Sequence, residues 1–379
     1  MRSILTLVFL ILIFGISAVC AKDNEPSSLN ETMTKIAETM VDVYPLVVAQ
    51  RMLTPAEEKT LQLSIQNFAR LFKIAQPQLR QKSSTYQVSL DLIIKWLANV
   101  ERAFAQKNVN LGRRHLYSLG SICASCHTQD QKLRTLFSGK KRDAFPSDLS
   151  FAEFNYFTRN YSTAVNYYDR FLRAEKKDKT ELDIITPLQR LITIYSQIYD
   201  TPDIAAKQLS EYRSLKSHTK KTQMQLDGWI NGLKTLHQSQ KKLPFPIKFQ
   251  TLEKLVKKHI GDTDQAMAEF MSTPEDEVAR VWLRGQLFHY LNTNPPKEEV
   301  PTILYWLSIC DRSVAFDYEF SLADLYLKQC IVENPKHSYA KRCFTEYEKF
   351  VTIVYSGSGG VFIPPEIETE LAELQDLLE

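Results

Sequence analysis

The sequence predicts an all-α protein, and three observations favour that class. Apolar residues recur at i, i+3 and i+4 along most of the chain. Strand-like alternation is rare, and glycine accounts for only 11 of the 379 residues. The hydrophobic fraction of 44% and the charged fraction of 24% are ordinary for a globular protein. Because the chain is too long for one compact core, we expect two or three domains.

We expect the first 21 residues to be a signal peptide that lies outside this fold. Arg2 supplies a positive start, the run LTLVFLILIFGI is apolar throughout, and Val19, Cys20 and Ala21 offer small residues for cleavage. The apolar run is shorter than the roughly 20 residues that a membrane span needs. No later segment is apolar enough to cross a bilayer. We therefore expect export to a bacterial periplasm, with a lipid anchor at Cys20 as the alternative.

The most informative motif is CASCH at residues 123–127. Cys-x-x-Cys-His is the attachment signature of c-type haem. Cys123 and Cys126 are one helical turn apart, so two thiols can add to the two vinyl groups of the porphyrin. The adjacent His127 supplies an imidazole for the iron. Because the motif occurs once, the sequence predicts one covalently bound haem c.

A zinc site and a redox-active cysteine pair are the alternatives for this motif. A structural zinc site needs two further ligands at short spacing, and none occurs nearby. A thioredoxin-like pair belongs at a strand-to-helix junction, whereas the surrounding sequence predicts helix. Outside the cytosol a Cys-x-x-Cys pair is normally oxidised, catalytic or consumed by covalent chemistry. Covalent haem attachment agrees with both the surroundings and the expected export.

Four amphipathic helices are predicted to precede or contain the motif. Pro45 is expected to bend the first helix or to end it early. Thr54 and Glu57 predict a capping box at the start of the second. Short connections favour an up-down-up-down bundle over residues 30–135. The four helices are expected over residues 31–50, from 54 onward, over 84–106, and from 110 into the motif.

The helix count and the position of CASCH at the end of the fourth helix resemble the cytochrome c′ family. The resemblance covers roughly residues 30–135. It implies that His127 is the proximal iron ligand and that Cys123 and Cys126 are the thioether cysteines. Members of the family with an apolar residue facing the iron bind small gases such as NO. Members with a methionine from the first helix are six-coordinate and suit electron transfer.

Bundle geometry selects the candidate for the sixth ligand. In an up-down-up-down bundle the start of the first helix lies beside the end of the fourth. Met33 is at that end, so we expect Met33 to be the distal iron ligand. Met40 is the second choice, because it lies seven residues deeper, about 10 Å along the axis. If neither methionine binds the iron, Met33 is a core residue above an open face that binds gas.

Charge divides the chain in two. Residues 30–142 hold 17 Lys and Arg against 8 Asp and Glu, a net charge of +9, whereas residues 143–379 hold 28 against 34, a net charge of −6. A basic haem module favours an acidic redox partner, or its own C-terminal domain. We do not expect nucleic acid as a partner of an exported cytochrome. Because members of the cytochrome c′ family often dimerise, the resemblance leaves both a monomer and a homodimer as alternatives.

Beyond a linker at residues 136–149, the sequence resembles tetratricopeptide helix pairs over residues 150–355. Ser150 and Glu153 predict a capping box, and AEFNYFTRNYSTAVNYYDRFLRA matches a helix pair. A related pattern recurs in DTPDIAAKQLSEYRSL. The many Tyr, Phe and Trp residues are expected to pack between stacked helices, or to line a concave groove for a partner peptide or protein.

The remaining cysteines and the C-terminus suggest structural roles. Cys330 and Cys343 flank a predicted turn at matching distances, so we expect a disulfide between them. Residues 356–379 are predicted to form a glycine-rich flexible connection and a capping helix. A haem bundle, helical repeats and a Tyr-Ser-Gly-x-Gly-Gly stretch together resemble a group of exported bacterial proteins.

These patterns lead to one functional hypothesis and two alternatives. We expect a periplasmic monohaem cytochrome that transfers single electrons while its repeat domain docks a protein partner. A five-coordinate gas or redox sensor is the first alternative, and an assembly scaffold with a structural haem is the second. Beyond the haem motif, the sequence shows no nucleophile and base pair and no metal cluster, so we expect an electron carrier rather than an enzyme.

Overall fold

A computed structural model confirms the all-α class. The structure describes the backbone but not the side chains of residues 84–89, 121, 123–127, 313 and 314. The first part of the expected linker and the whole of the expected signal peptide lie outside the described residues. The described residues are 28–49, 51–79, 84–127, 142–174, 179–215, 219–241, 243, 247–261, 272–314 and 322–379.

The N-terminal helix group contains four helices whose neighbours in sequence also contact each other. α1 packs against α2, α2 against α3 and α3 against α4, and α4 returns to α1. The buried stripes along these helices form an aliphatic and aromatic core. The helices are α1 Leu29–Val47, α2 Pro55–Leu79, α3 Ser84–Ala105 and α4 Val109–His127.

Local signals set the starts of these helices. The Ser28 hydroxyl caps α1 by accepting a hydrogen bond from the Glu31 amide at 3.2 Å. At α2, the Thr54 amide donates to the Glu57 carboxylate at 2.8 Å and the Glu57 amide donates to the Thr54 hydroxyl at 3.3 Å, which is the predicted capping box. Pro45 does not end α1, because the helix continues to Val47.

The C-terminal helix group contains eleven described helices, most of which pack against their neighbours in sequence. α5 packs on α6, α8 on α9, α11 on α12, and α13 on both α12 and α14. A π-helical turn at Ile194–Ile198 follows α7. The helices are α5 Asp148–Phe157, α6 Tyr161–Arg173, α7 Glu181–Thr193, α8 Pro202–Arg213, α9 Lys220–Gln240, α10 Phe249–His259, α11 Pro274–Leu291, α12 Val300–Val314, α13 Ala323–Glu333, α14 Ser338–Val354 and α15 Pro365–Asp376.

The predicted capping box at Ser150 and Glu153 is wrong. α5 begins three residues earlier, where Ser147 and Ser150 exchange the two capping hydrogen bonds at 3.1 Å. Glu153 is instead fully buried on the inner face of α5 and accepts a short hydrogen bond from the Tyr168 hydroxyl. The Ser-x-x-Ser and Ser-x-x-Glu patterns overlap in the sequence, and burial of the glutamate decides between them.

The glycine-rich stretch near the C-terminus is a defined hairpin rather than a flexible connection. Strand β1 Ser356–Gly357 pairs antiparallel with strand β2 Gly360–Val361. Gly360 has φ of +111°, which glycine adopts without a steric penalty. The hairpin leads into α15, which packs on α13 and α14.

A disulfide joins Cys330 on α13 to Cys343 on α14, with 6.3 Å between their Cα atoms. Both cysteines are buried, as is Cys310, which is not part of a disulfide. The disulfide therefore links α13 to α14. Among the helices in the described part of the chain, none combines the length and the apolar character that a bilayer span requires.

Candidate functional site

The backbone of α4 remains helical to His127, so the CASCH motif occupies the last turns of that helix. Positions 123 and 126 are one turn apart, and position 127 directly follows. The side chains of Cys123, Cys126 and His127 lie outside the described residues. The described turns immediately before the motif are buried at Leu116, Leu119 and Ile122.

α1 runs antiparallel to α4 with a register that the side chains fix at one end. The Arg113 guanidinium, near the start of α4, donates to the carbonyl oxygens of Val47 at 3.2 Å and of Arg51 at 3.2 Å, at and just beyond the end of α1. One turn further along, the rings of Tyr44 and Tyr117 stack with centroids 6.4 Å apart. Residue 47 therefore lies at the level of residue 113, and residue 44 at the level of residue 117, to within about one helical turn.

Extending this register along both helices makes Met33 level with His127. The step from Tyr44 to Met33 is 11 residues, which is three turns and about 20° around the helix. Met33 thus lies on the same side of α1 as Tyr44, at the end of α1 that is nearest the motif. Its side chain is partly buried and packs against the hydrophobic core.

Met40 lies deeper between the helices than Met33. It is buried in the core, one turn from Tyr44, and the same register makes it level with Gly120. Seven residues separate position 120 from His127, so Met40 lies two turns from the end of α4. The register therefore favours Met33 over Met40 as the methionine nearest the motif.

Helix α5 packs against the middle of α4, close to the CASCH motif. Gly120 lies directly against the ring of Phe157, so that a Cβ at position 120 would overlap the ring. Tyr44 is fully buried beside Phe157, with ring centroids 5.7 Å apart, and also contacts Phe154 at 5.8 Å and Phe145 at 6.3 Å. The N-terminal and C-terminal groups therefore share an aromatic core at this point.

An ion pair between buried Glu153 and partly exposed Arg190 lies next to the shared aromatic core. The Arg190 Nε is 3.5 Å from the Glu153 carboxylate, and the guanidinium lies 4.7 Å from the centroid of the Tyr156 ring. Burial, followed by the charge of Glu153, holds the pKa of Tyr168 well above its usual value, so its hydroxyl stays protonated as the donor to Glu153. Sequence reasoning missed this cluster, and a glutamate inside the aromatic run FAEFNYF is the only signal that could have indicated it.

Comparison with known proteins finds no matching family model, no matching curated protein and no matching solved structure. The functional argument therefore depends on the residues of this chain and on their arrangement.

Proposed function

We propose that this chain is an exported monohaem c-type cytochrome that transfers single electrons. The observation that carries the proposal is the register of α1 against α4, which makes Met33 level with the CASCH motif. Two thiols, one imidazole and one thioether are the donor set of a haem c with His and Met axial ligands. The chemistry of these residues and their meeting at one end of the helix pair both fit that group.

Each of these four residues then has a defined role. Cys123 and Cys126 would hold the porphyrin covalently, and the His127 imidazole and the Met33 thioether would bind its iron. The bound haem supplies one-electron oxidation and reduction, while the protein sets its orientation and environment. The buried stripe of α4 and the packing of Met33 against the core supply apolar surface for the bound group.

We assign the two helix groups to the two expected domains. The cyclic contacts of α1 to α4 support a four-helix haem bundle over residues 30–135, and the helix hairpins after Ser147 support a tetratricopeptide-like domain that docks a partner. The net charge of +9 over residues 30–142 suits an acidic redox partner. The disulfide between Cys330 and Cys343 supports an oxidising compartment such as the periplasm.

The test of haem attachment is the double variant Cys123→Ser with Cys126→Ser, produced with the haem-maturation machinery. Haem staining after denaturing electrophoresis should label the wild-type chain and should leave the double variant unlabelled. Cys310→Ser is the matched control, because that buried thiol is outside the motif, and it should stain as the wild type does. Equal staining of wild type and double variant, or no staining of the wild type, would overturn the proposal.

Binding of CO to the reduced protein separates electron transfer from gas sensing. With Met33 on the iron, CO should bind slowly or only after displacement of the thioether. Rapid CO binding together with a high-spin ferric spectrum would favour a five-coordinate sensor instead. Retention of a tightly bound envelope complex by the Cys123→Ser variant would favour the scaffold.

A further inference from the structure

An exposed apolar patch surrounds the C-terminal hairpin. Phe362 is 78% exposed, and Ile353, Val354 and Val361 are each about half exposed. The Phe362 amide donates to the Tyr355 carbonyl oxygen at 3.0 Å, which brings the strand after the turn back beside the end of α14. Four apolar side chains are therefore presented to solvent by one ordered segment of ten residues, the hairpin patch at 353–362. Clusters of this kind mark interaction surfaces.

The helix that follows the hairpin patch is acidic on its outer face. On α15 the Leu374 side chain is buried, whereas Glu366, Glu373 and Asp376 are exposed. α15 contains no lysine or arginine, and within the described part of the chain these three carboxylates make no ion pair. The carboxylate that does pair, Glu370, binds Lys328 on α13 at 3.1 Å and so belongs to the inner face. A partner of the hairpin patch must therefore tolerate, or neutralise, negative charge.

A surface with the opposite charge lies on α2 of the same chain. Lys59, Leu63, Arg70 and Lys73 follow one another at helical spacing and are all exposed. Leu63 is 57% exposed, which makes it an apolar residue within a basic stripe. Among the described residues, Lys59, Arg70 and Lys73 make no ion pair. The α2 stripe thus combines unneutralised cations with an apolar side chain, and α15, which follows the hairpin patch in the chain, carries unneutralised anions.

The two surfaces match in spacing as well as in charge. Arg70 and Lys73 are three residues apart, as are Glu373 and Asp376, and each interval is about 4.5 Å along a helix axis. On α2 the apolar residue precedes the charged pair, and on α15 the hairpin patch precedes the charged pair. A parallel alignment of the two helices therefore joins cation to anion and apolar side chain to apolar side chain.

We propose that the α2 stripe of one copy of this chain binds the α15 face and hairpin patch of a second copy. The two surfaces differ, so the contact is head to tail and leaves one free surface of each kind on the pair. A membrane is a poor occupant of the hairpin patch, because the carboxylates of α15 repel anionic headgroups. The proposal does not depend on haem, because none of its residues belongs to the CASCH motif.

Sedimentation velocity of the purified full chain at rising protein concentration tests this contact. Association should be strong at an ionic strength of about 0.01 M and weak at about 1 M, because exposed charge pairs are screened over that range. Arg70→Glu with Lys73→Glu, and separately Glu373→Lys with Asp376→Lys, should each make the chain monomeric. Phe362→Ser should weaken association at every salt concentration. Leu182→Ser is the matched control, since Leu182 is 73% exposed and lies on α7, which belongs to neither surface.

Mixing the two charge-reversed variants is the decisive step. Each has one surface of reversed sign, so each alone repels itself, whereas the mixture restores opposite charges at both contacts. Association should therefore return on mixing, and circular dichroism should show that both variants are folded. A wild type that stays monomeric at low salt, or a mixture of folded variants that stays monomeric, would overturn the proposal. Association that is independent of Phe362 would overturn the role of the hairpin patch.

Discussion

Different kinds of contact stabilise the two helix groups internally. The C-terminal group contains buried or mostly buried ion pairs between Arg284 and Asp311 and between Arg312 and Glu346, as well as a disulfide. In the described part of the N-terminal group, the ion pairs are solvent-exposed and the core is apolar. The C-terminal group is thus fixed by specific polar and covalent links. The N-terminal group depends on close packing of apolar side chains.

The largest effect should follow from breaking a buried ion pair of the C-terminal group. Asp311 accepts hydrogen bonds from Arg284 at 3.1 Å and from the Leu322 amide at 2.6 Å. Asp311→Ala leaves a buried guanidinium without its charge partner, so urea unfolding should show a loss of about 3–5 kcal/mol. The exposed pair between Arg213 and Asp227 is the control, and Asp227→Ala should cost about 0–1 kcal/mol. Equal losses for the two variants would contradict the comparison.

Removing the disulfide should have the next largest effect. Cys330 and Cys343 are 13 residues apart, and closing a loop of that size lowers the entropy of the unfolded chain by an amount worth about 3 kcal/mol. Cys343→Ser should lower the thermal midpoint, and dithiothreitol should lower that of the wild type to the same extent. Dithiothreitol should then have no further effect on Cys343→Ser, and a second decrease would point to a different bridge.

A smaller loss should follow from overpacking the boundary between the two groups. In Gly120→Ala the new methyl group overlaps the ring of Phe157. Such overpacking costs about 1–3 kcal/mol, and the better helix propensity of alanine recovers up to about 1 kcal/mol. Phe157→Leu should partly restore the stability of Gly120→Ala, measured by urea unfolding. Gly359→Ala is the control and should be neutral, since no atom lies within 4 Å of its added Cβ.

The smallest effect concerns the exposed charges of the N-terminal group. The hydrogen bond from Arg51, followed by that from the Thr54 amide, lowers the pKa of Glu57 from 4.5 to about 2. Because this pKa is lowered on folding, the resulting stabilisation is complete above pH 4.5 and is lost as the pH falls through 2. Nuclear magnetic resonance titration of Glu57 should show this low midpoint, and Arg51→Ala should raise it. A midpoint near 4.5 in both proteins would show that Arg51 does not lower the pKa of Glu57.

Sequence reasoning was most accurate where local chemistry decides the structure. The capping box at Thr54 and Glu57 and the four N-terminal helices could be predicted to within three residues at each described end. The N-cap of α5 could not be predicted from the sequence, because the choice between Ser147 and Ser150 depends on the burial of Glu153 against Tyr168. The register of α1 against α4 could not be predicted at residue level either. It is fixed by Arg113 and by carbonyl oxygens more than 60 residues away in the chain, which leave no local pattern.

The most direct test of the central claim is the visible spectrum of the oxidised protein and its methionine variants. The wild type should show the charge-transfer band of methionine-ligated ferric haem at about 695 nm. Met33→Ala should abolish the band, and Met52→Ala should preserve it, since Met52 is 89% exposed in the connection before α2. Met40→Ala should also preserve it, because Met40 lies two turns deeper between the helices. A band that survives Met33→Ala, or a wild type without the band, would contradict ligation of the iron by Met33 and His127.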